Sequence, residues 1–368
     1  MVVLLVAFAA AAVLGLWIVR SGRKGASMAH DHDLDGPQKF HARPVPRIGG
    51  LAIVAGVTAG CMALSVTLPG SAALSMGLLF CAAPAFLAGL AEDLTKRVRP
   101  ALRLAFTGLA AALAFWFIDA AIARTSIPGL DTLVSNRAGS LLITVFVVAG
   151  MANAVNIIDG FNGLASMCSV MMLLSITYVS FHVGDPLLGW LALAGAGAVL
   201  GFFVLNFPAG LIFLGDGGAY FLGFYVAELA ILLLHRNPGV SPMFPLLLWI
   251  YPVFETLFSI YRRKWLRGRP VGMPDGAHLH SLIYRRIMRW AAGERSAREL
   301  TRRNSMTSPY LWMLCSTAVV PAALWYDSTA VQAAFIALFS LTYVVLYWRI
   351  VRFKAPRWLV FRQSKGRR

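Results

Sequence analysis

Charge is what this chain has least of. Only 13% of its 368 residues are Asp, Glu, Lys or Arg, against roughly 25% in a soluble domain. The shortfall falls mainly on the acids: 16 Asp and Glu stand against 33 Lys and Arg, for a net charge of +17. Cysteine is scarce as well. Cys61, Cys81, Cys168 and Cys315 are far apart in apolar runs. Without a Cys-x-x-Cys or Cys/His spacing they indicate neither a disulfide framework nor a zinc site. Also missing are a Walker A loop, HExxH, GxSxG and a GxGxxG following a strand. The familiar soluble nucleotide-binding and hydrolase signatures are therefore not here.

What is present is apolar sequence. Hydrophobic residues make up 58% of the chain, and mean hydropathy is +0.70. Runs long enough to cross about 30 Å of hydrocarbon fall near 2–19, 48–68, 71–91, 104–123, 139–155 and 164–183, then near 186–206, 218–235, 243–261, 310–327 and 329–349. The expected fold is all-α: one integral membrane domain over 1–368, of about eleven transmembrane helices. Its longest loop is 262–309 and its basic tail 350–368. The first run is followed, not preceded, by Arg20, Arg23 and Lys24. A secretory signal has the opposite polarity, so this run reads as a retained span.

Placing the N-terminus outside puts 20–47, 92–103, 156–163, 207–217, 262–309 and 349–368 inside. Only Arg124, Arg137 and Arg236 of the 33 Lys and Arg then lie outside, as the positive-inside rule asks. The basic charge is thus assigned to orientation in a bilayer, and nucleic acid is not an expected partner. The C-terminus is cytoplasmic in this arrangement.

The same orientation gathers the polar chemistry onto one cytoplasmic face. "KFHARPVPRIGG" at 39–50 offers Lys39, His41 and Arg47 beside paired prolines and Gly49–Gly50. It suits phosphate, or is a basic juxtamembrane loop. Glu92 and Asp93 in "AEDLTKRVRPALRL" suit a hard cation such as Mg²⁺, or form a salt-bridged helix end. "NAVNIIDGFNGLAS" places Asn153 and Asn156 on one helix surface, then Asp159 and Asn162 between glycines. Such polar residues between spans are costly unless they line a wet site, with hairpin closure as the alternative. In "FLGDGG", Asp216 is expected to cap the next helix, to bind metal, or both. His278 and His280, with Arg285 and Arg286, form a donor group suited to a pyrophosphate, or an ordinary surface loop. Glu228 and Glu255 lie inside spans and are functional candidates without an assigned partner.

In this order, "PRIGGLAI", "NAVNIIDGFNGLA", "FLGDGG" and "HLH" resemble the polyprenyl-phosphate N-acetylhexosamine-1-phosphate transferase family from about residue 35 to 286. The resemblance implies a bacterial, multi-pass inner-membrane enzyme. It would move an N-acetylhexosamine-1-phosphate from a UDP-N-acetyl amino sugar to undecaprenyl phosphate. UMP would be released and a lipid-linked envelope glycan such as an O-antigen begun. It also implies Mg²⁺, with Mn²⁺ admitted in its place, held by Asp216 with Asn156. Glu92, Asp93, Asp159 and Asp216 are then the catalytic carboxylates. Asp159 and Asn162 address the nucleotide, Arg103, His278 and His280 meet phosphates, and Asp93 positions the lipid phosphate.

Eleven spans resemble the branch that handles GlcNAc-1-phosphate, whereas the branch that handles phospho-MurNAc-pentapeptide has ten. That second branch, a lipid or solute transporter, and an inactive scaffold are the alternatives. The chain departs from the family's pattern at Glu92, at Asn162, and at Ser281, where a third histidine is common. A homodimer is compatible with this reading.

Overall fold

The computed structural model describes residues 1–23, 45–266, 268, 276–288 and 297–352. Among them there are helices and no β-strand. The long helices are α1 (Val2–Arg23), α2 (Gly49–Thr67), α3 (Ala72–Thr95), α4 (Pro100–Phe117), α6 (Arg137–Ile158), α7 (Leu164–His182), α8 (Pro186–Asn206), α9 (Gly215–Arg236) and α14 (Thr329–Val351). These nine are each long and apolar enough to cross a membrane. A short α5 (Leu130–Val134) precedes α6.

Two expected spans take a different form. Residues 243–261 are broken into α10 (Met243–Leu248) and α11 (Ile250–Tyr261). Proline explains the break. Pro252 has no N–H to give the Leu248 carbonyl, so an unbroken ladder through Trp249 is not available. Residues 310–327 fall in α13 (Ala297–Leu324), which starts well before the apolar run and contains Pro309 and Pro321. Its first turns are polar. With α10–α11 and α13 each counted as one passage, the described residues make eleven passages. A short α12 (Leu279–Leu282) lies between them.

α9 is the axis of the bundle. Every residue from Gly217 to Leu234 is buried, as expected of a helix apolar on all sides. α2, α3, α4, α6, α7, α8 and α10 all pack on it. Around this axis, small residues let backbones approach where no hydrophobic force drives helices together in lipid. α1 lies in a groove cut by Gly56 and Gly60 of α2 and Gly197 and Gly201 of α8. A Cβ on Gly56 would sit 2.7 Å from the Ala7 carbonyl oxygen. On the outside, Trp17, Met62, Val66, Phe80, Leu142 and Phe146 are exposed, which suits contact with lipid chains.

Hydrogen bonds, ion pairs and ring contacts bring one set of helix ends together: the starts of α2, α4, α7, α9 and α13 and the ends of α3, α6, α8, α11 and α14. Arg47, Asp93, Asn156, Asp159, Asn162, Asp216, His278 and His280, all singled out in the sequence, belong to this end.

Candidate active site

The site is built on the first turn of α9. Its leading N–H groups have no partner within the helix, and a carboxylate from another passage receives them. Asp93 Oδ1 accepts from the Asp216 N–H and Oδ2 from the Gly217 N–H, both at 2.9 Å. Asp93 at the end of α3 is therefore the cap of α9, a role the sequence had suggested for Asp216.

Glycine permits the approach. Gly215 has φ +74, and a Cβ there would overlap the Arg47 carbonyl oxygen and lie 2.6 Å from Asp93 Oδ2. The "PRIGG" and "FLGDGG" segments also pair through their backbones. Phe213 donates to Pro46 at 2.8 Å, while Gly49 and Gly50 donate to Phe213 and Leu214 at 2.9 Å.

With its main chain fixed this way, Asp216 presents its side chain to three donors. Asn156 Nδ2 donates to Oδ1 at 2.9 Å. Arg47 lies 3.8 Å from Oδ1, and Arg103 forms an ion pair with Oδ2. Arg103 also stacks over Tyr220, 5.5 Å from the ring centre. Three separate segments thus converge on one carboxylate. Oxygen donors from Asp216 and Asn156 suit a hard cation, which commonly takes one or two carboxylates and completes its shell with water and substrate phosphates. Among the described residues no three His, Cys, Asp or Glu side chains gather into a metal site. The protein's own share of such a shell is small.

Beside Asp216 opens a cleft of about 380 Å³, lined by Arg47, Asn156, Asp159, Gly160, Phe161, Asn162, Asp216, His278, His280 and Asn304 among others. Asp159 ends α6 inside this enclosure. Burial pushes its carboxyl up to about 7, against the opposing pull of Arg47.

Asn162 has a different environment. Its side chain donates to Ser305 Oγ at 3.0 Å, its N–H to Asn304 Oδ1 at 2.8 Å, and its carbonyl accepts from Ser308 at 2.6 Å. Gly163 N–H donates to Asn206 Oδ1 at 2.6 Å, and its carbonyl accepts from Trp312 at 3.0 Å. The glycine loop is thus pinned to α13. Asn206 and Asn304 are cleft residues that the sequence reading did not select. The legible signal was Asn304, Ser305 and Ser308, spaced to share one helix face just before an apolar run.

His278 and His280 form the opposite wall. Their rings stack at 5.1 Å and 13°, and His280 meets the Phe161 ring at 5.4 Å. Glu255 gains the partner the sequence could not give it. Its Oε1 lies 2.9 Å from His278 Nδ1, and its Oε2 accepts from Tyr343 at 2.7 Å.

The remaining candidates are distributed as follows. Glu92 turns away to hold the bend after α3, accepting from the Val98 N–H at 2.7 Å. Asn153 is half-buried one turn before Asn156 and does not line the cleft. Arg286 donates to the carbonyls of Ile350 and Val351 and so closes the end of α14, where a phosphate role had been expected. Lys39 and His41 lie outside the described residues.

A second hollow, of about 310 Å³, runs along α6, α9, α10 and α11. Ile143, Val147, Met151, Ile231, Trp249 and Val253 give it an almost wholly apolar wall. It reaches Ala154, two residues from Asn156, and Leu257, two residues from Glu255.

Comparison with known proteins accords with this geometry. The model of glycosyl transferase family 4 matches residues 75–234. A probable undecaprenyl-phosphate N-acetylglucosaminyl 1-phosphate transferase of Bacillus subtilis is 31% identical over 250 residues, 66% of each chain. An undecaprenyl-phosphate alpha-N-acetylglucosaminyl 1-phosphate transferase of Thermotoga maritima is 29% identical over 259 residues, 70% of this chain and 75% of that one. A phospho-N-acetylmuramoyl-pentapeptide-transferase of Clostridium perfringens is 33% identical over a shorter stretch, 46% of this chain and 50% of that one. The matches to the first two relatives span about two thirds to three quarters of their length.

Proposed function

The chain belongs to glycosyl transferase family 4, and we propose that it transfers an N-acetylhexosamine-1-phosphate from a UDP-sugar to a polyprenyl phosphate, with release of UMP. One observation carries this reading. A polar cleft centred on Asp216, with Arg47, Arg103, Asn156 and Asp159 around it, lies at one end of helices α6 and α11, and an apolar groove runs along the same two helices. A phosphorylated lipid needs both environments at once. A transporter would need ionisable groups along a path through the bilayer. The phospho-MurNAc-pentapeptide reading has a shorter match in its support.

In this reaction an oxygen of the lipid phosphate attacks the sugar-bearing phosphorus of the UDP-sugar. A new P–O bond forms, and the bond to UMP breaks. A phosphate monoester with second pKa about 6 is mainly dianionic at neutral pH, so the attacking oxygen needs little help from a base. The prenyl chain lies in the apolar groove, which brings its head to the end of α6. Arg47 and Arg103 meet the phosphates as planar multidentate donors, and His278 and His280 meet them from the far wall. Asp159 addresses the nucleotide. Asp93 acts through α9, since both of its oxygens are engaged in holding Asp216 in place.

Asp216 and Asn156 would hold Mg²⁺ or Mn²⁺, which when bound neutralises the diphosphate and the departing UMP. Cleft and basic loops face the cytoplasm of a bacterial inner membrane, with the N-terminus outside. The product would begin a lipid-linked envelope glycan.

The test is UMP release by purified protein given undecaprenyl phosphate and a panel of UDP-sugars, with GlcNAc and GalNAc donors first. Asp216→Ala should lose at least about 100-fold in turnover, as when a main electrostatic contact of a transition state is removed. Asp93→Asn, which can still accept one N–H, should lose roughly 10-fold, the equivalent of one good hydrogen bond. Absence of UMP from every donor, or wild-type turnover by both variants, would overturn the reading.

A further inference from the structure

We infer that Glu255 is a positioning residue for this reaction: it fixes which nitrogen of His278 carries a proton and which one faces the phosphates. The inference rests on the proposed reaction for its meaning, and on the geometry of α11, α14 and the turn at 276–280 for its evidence.

Glu255 is 1% exposed, a placement a carboxylate tolerates only with strong donors around it. Three are present. Oε1 takes His278 Nδ1 at 2.9 Å and the Leu279 N–H at 3.2 Å, and Oε2 takes the Tyr343 hydroxyl at 2.7 Å. An ionised carboxylate can only accept. The shared hydrogen on the histidine contact therefore belongs to Nδ1, and Nε2 is the ring nitrogen that a ligand in the cleft would meet. A phosphate oxygen also only accepts. A His278 ring that touches it through Nε2 carries both protons, and Glu255 is the counter-charge such a ring needs inside the protein.

The main chain is held just as firmly. The Ala277 carbonyl accepts from Arg262 at 2.7 Å and from Tyr347 at 3.2 Å, so the residue before His278 is clamped from two helices. Stacking on His280 sets the plane of the ring. Glu255 itself does not line the cleft, so its effect on chemistry has to pass through His278. One consequence concerns the last passage. α14 supplies Tyr343 and Tyr347, although it lies outside the region that the family model matches. It belongs to the working site and is more than an added span.

The carboxylate partners of metal-bound histidines, which orient the ring in the same way, change activity by roughly 10–100-fold when removed. Glu255→Ala should fall in that range in kcat/KM for the UDP-sugar. Glu255→Gln keeps an acceptor for Nδ1–H in a near-isosteric frame and should fall less. The Ala change made on top of His278→Asn should cost no more than about 2-fold further, because residues acting through one another are not additive. A double variant that drops by the full product of the two single losses, or a wild-type Glu255→Ala protein, would overturn the inference.

A second measurement does not depend on turnover. Nitrogen-15 NMR of histidine-labelled protein, with His278 assigned by its loss in His278→Asn, should show a protonated Nδ1. In Glu255→Ala the proton should move toward Nε2. A wild-type ring protonated on Nε2 alone rejects the inference, even in a protein that releases no UMP. Lack of UMP release from wild-type protein would instead count against the proposed reaction.

Discussion

The two ends of α9 use similar side chains for different ends. At its C-terminus Arg124 donates to the carbonyls of Leu234 and Asn237 at 3.0 and 2.9 Å. Arg236 pairs with Asp185 at 2.8 Å, and His235 lies 3.3 Å from Asp119. Each contact there closes a helix end or ties a loop, as cations at a helix C-terminus do. At the N-terminus Asp93 already satisfies the leading N–H groups. Asp216 and the two arginines beside it exceed what capping requires, and Asp216 and Arg47 border a cleft. Charge pairing by itself therefore does not mark a working site. Donors left over after the backbone is satisfied, gathered at a cavity, do.

The comparison breaks most sharply at Gly215. Alanine there would impose a left-handed conformation that costs about 1–2 kcal/mol, and its Cβ would meet the Arg47 carbonyl and the Asp93 carboxylate. Crowding of this kind adds about 1–3 kcal/mol. Gly215→Ala should therefore lower the unfolding temperature and reduce UMP release by at least about 100-fold, since Asp93 and Asp216 cannot both keep their places. Near-normal turnover in a folded Gly215→Ala protein would show that the glycine cradle does not set the site.

At the other end the expected effect is smaller and of another kind. Asp185 is buried, accepts from the Leu188 N–H at the start of α8, and pairs with Arg236. Losing a cap costs about 1 kcal/mol, and an ion pair of this exposure up to about 1 kcal/mol more. Asp185→Ala should lower thermal stability by that amount and leave kcat and KM unchanged once the protein is folded. A specific loss of turnover would mean that the two ends communicate, and the contrast drawn above would fail.

Much of this architecture was legible in the sequence, and the exceptions have physical causes. Hydropathy located nine spans directly because a helix that crosses the bilayer, whether it faces lipid or, like α9, only other helices, must be apolar along most of its length. It is less apt for α10–α11, where Pro252 interrupts the helix ladder inside an unbroken apolar run, and for α13, whose polar start packs on the glycine loop. Asp216 was legible because glycines flank it. The capping role of Asp93 was not, because its partner is 123 residues away and no local pattern encodes that distance. The same holds for Glu255 and His278. An acid in a span announces a partner, but only the folded turn at 276–280 says which.

The finest version of the comparison concerns two carboxylates at helix termini, shifted in opposite directions. Asp159 is pushed up to about 7 by enclosure in the cleft. A carboxyl raised above its unfolded value of about 3.9 keeps its proton longer in the folded state, so wild-type stability declines as pH rises from about 4 through 7. Asp159→Asn escapes that decline and should gain in unfolding temperature relative to wild type between pH 5 and pH 8, while losing turnover. Asp131 is held below the usual carboxylate range by the Thr125 hydroxyl and the N–H groups of Thr125 and Ser126. Its contribution is fully present above the unfolded value and fades as pH falls through the folded one. Asp131→Asn should therefore be slightly less stable than wild type at pH 7, with the gap closing below about pH 4 and turnover unaffected. Matching slopes for the two variants would mean that the cleft does not enclose Asp159 as described, because the burial that raises its carboxyl and the hydrogen bonds that lower that of Asp131 give slopes of opposite sign.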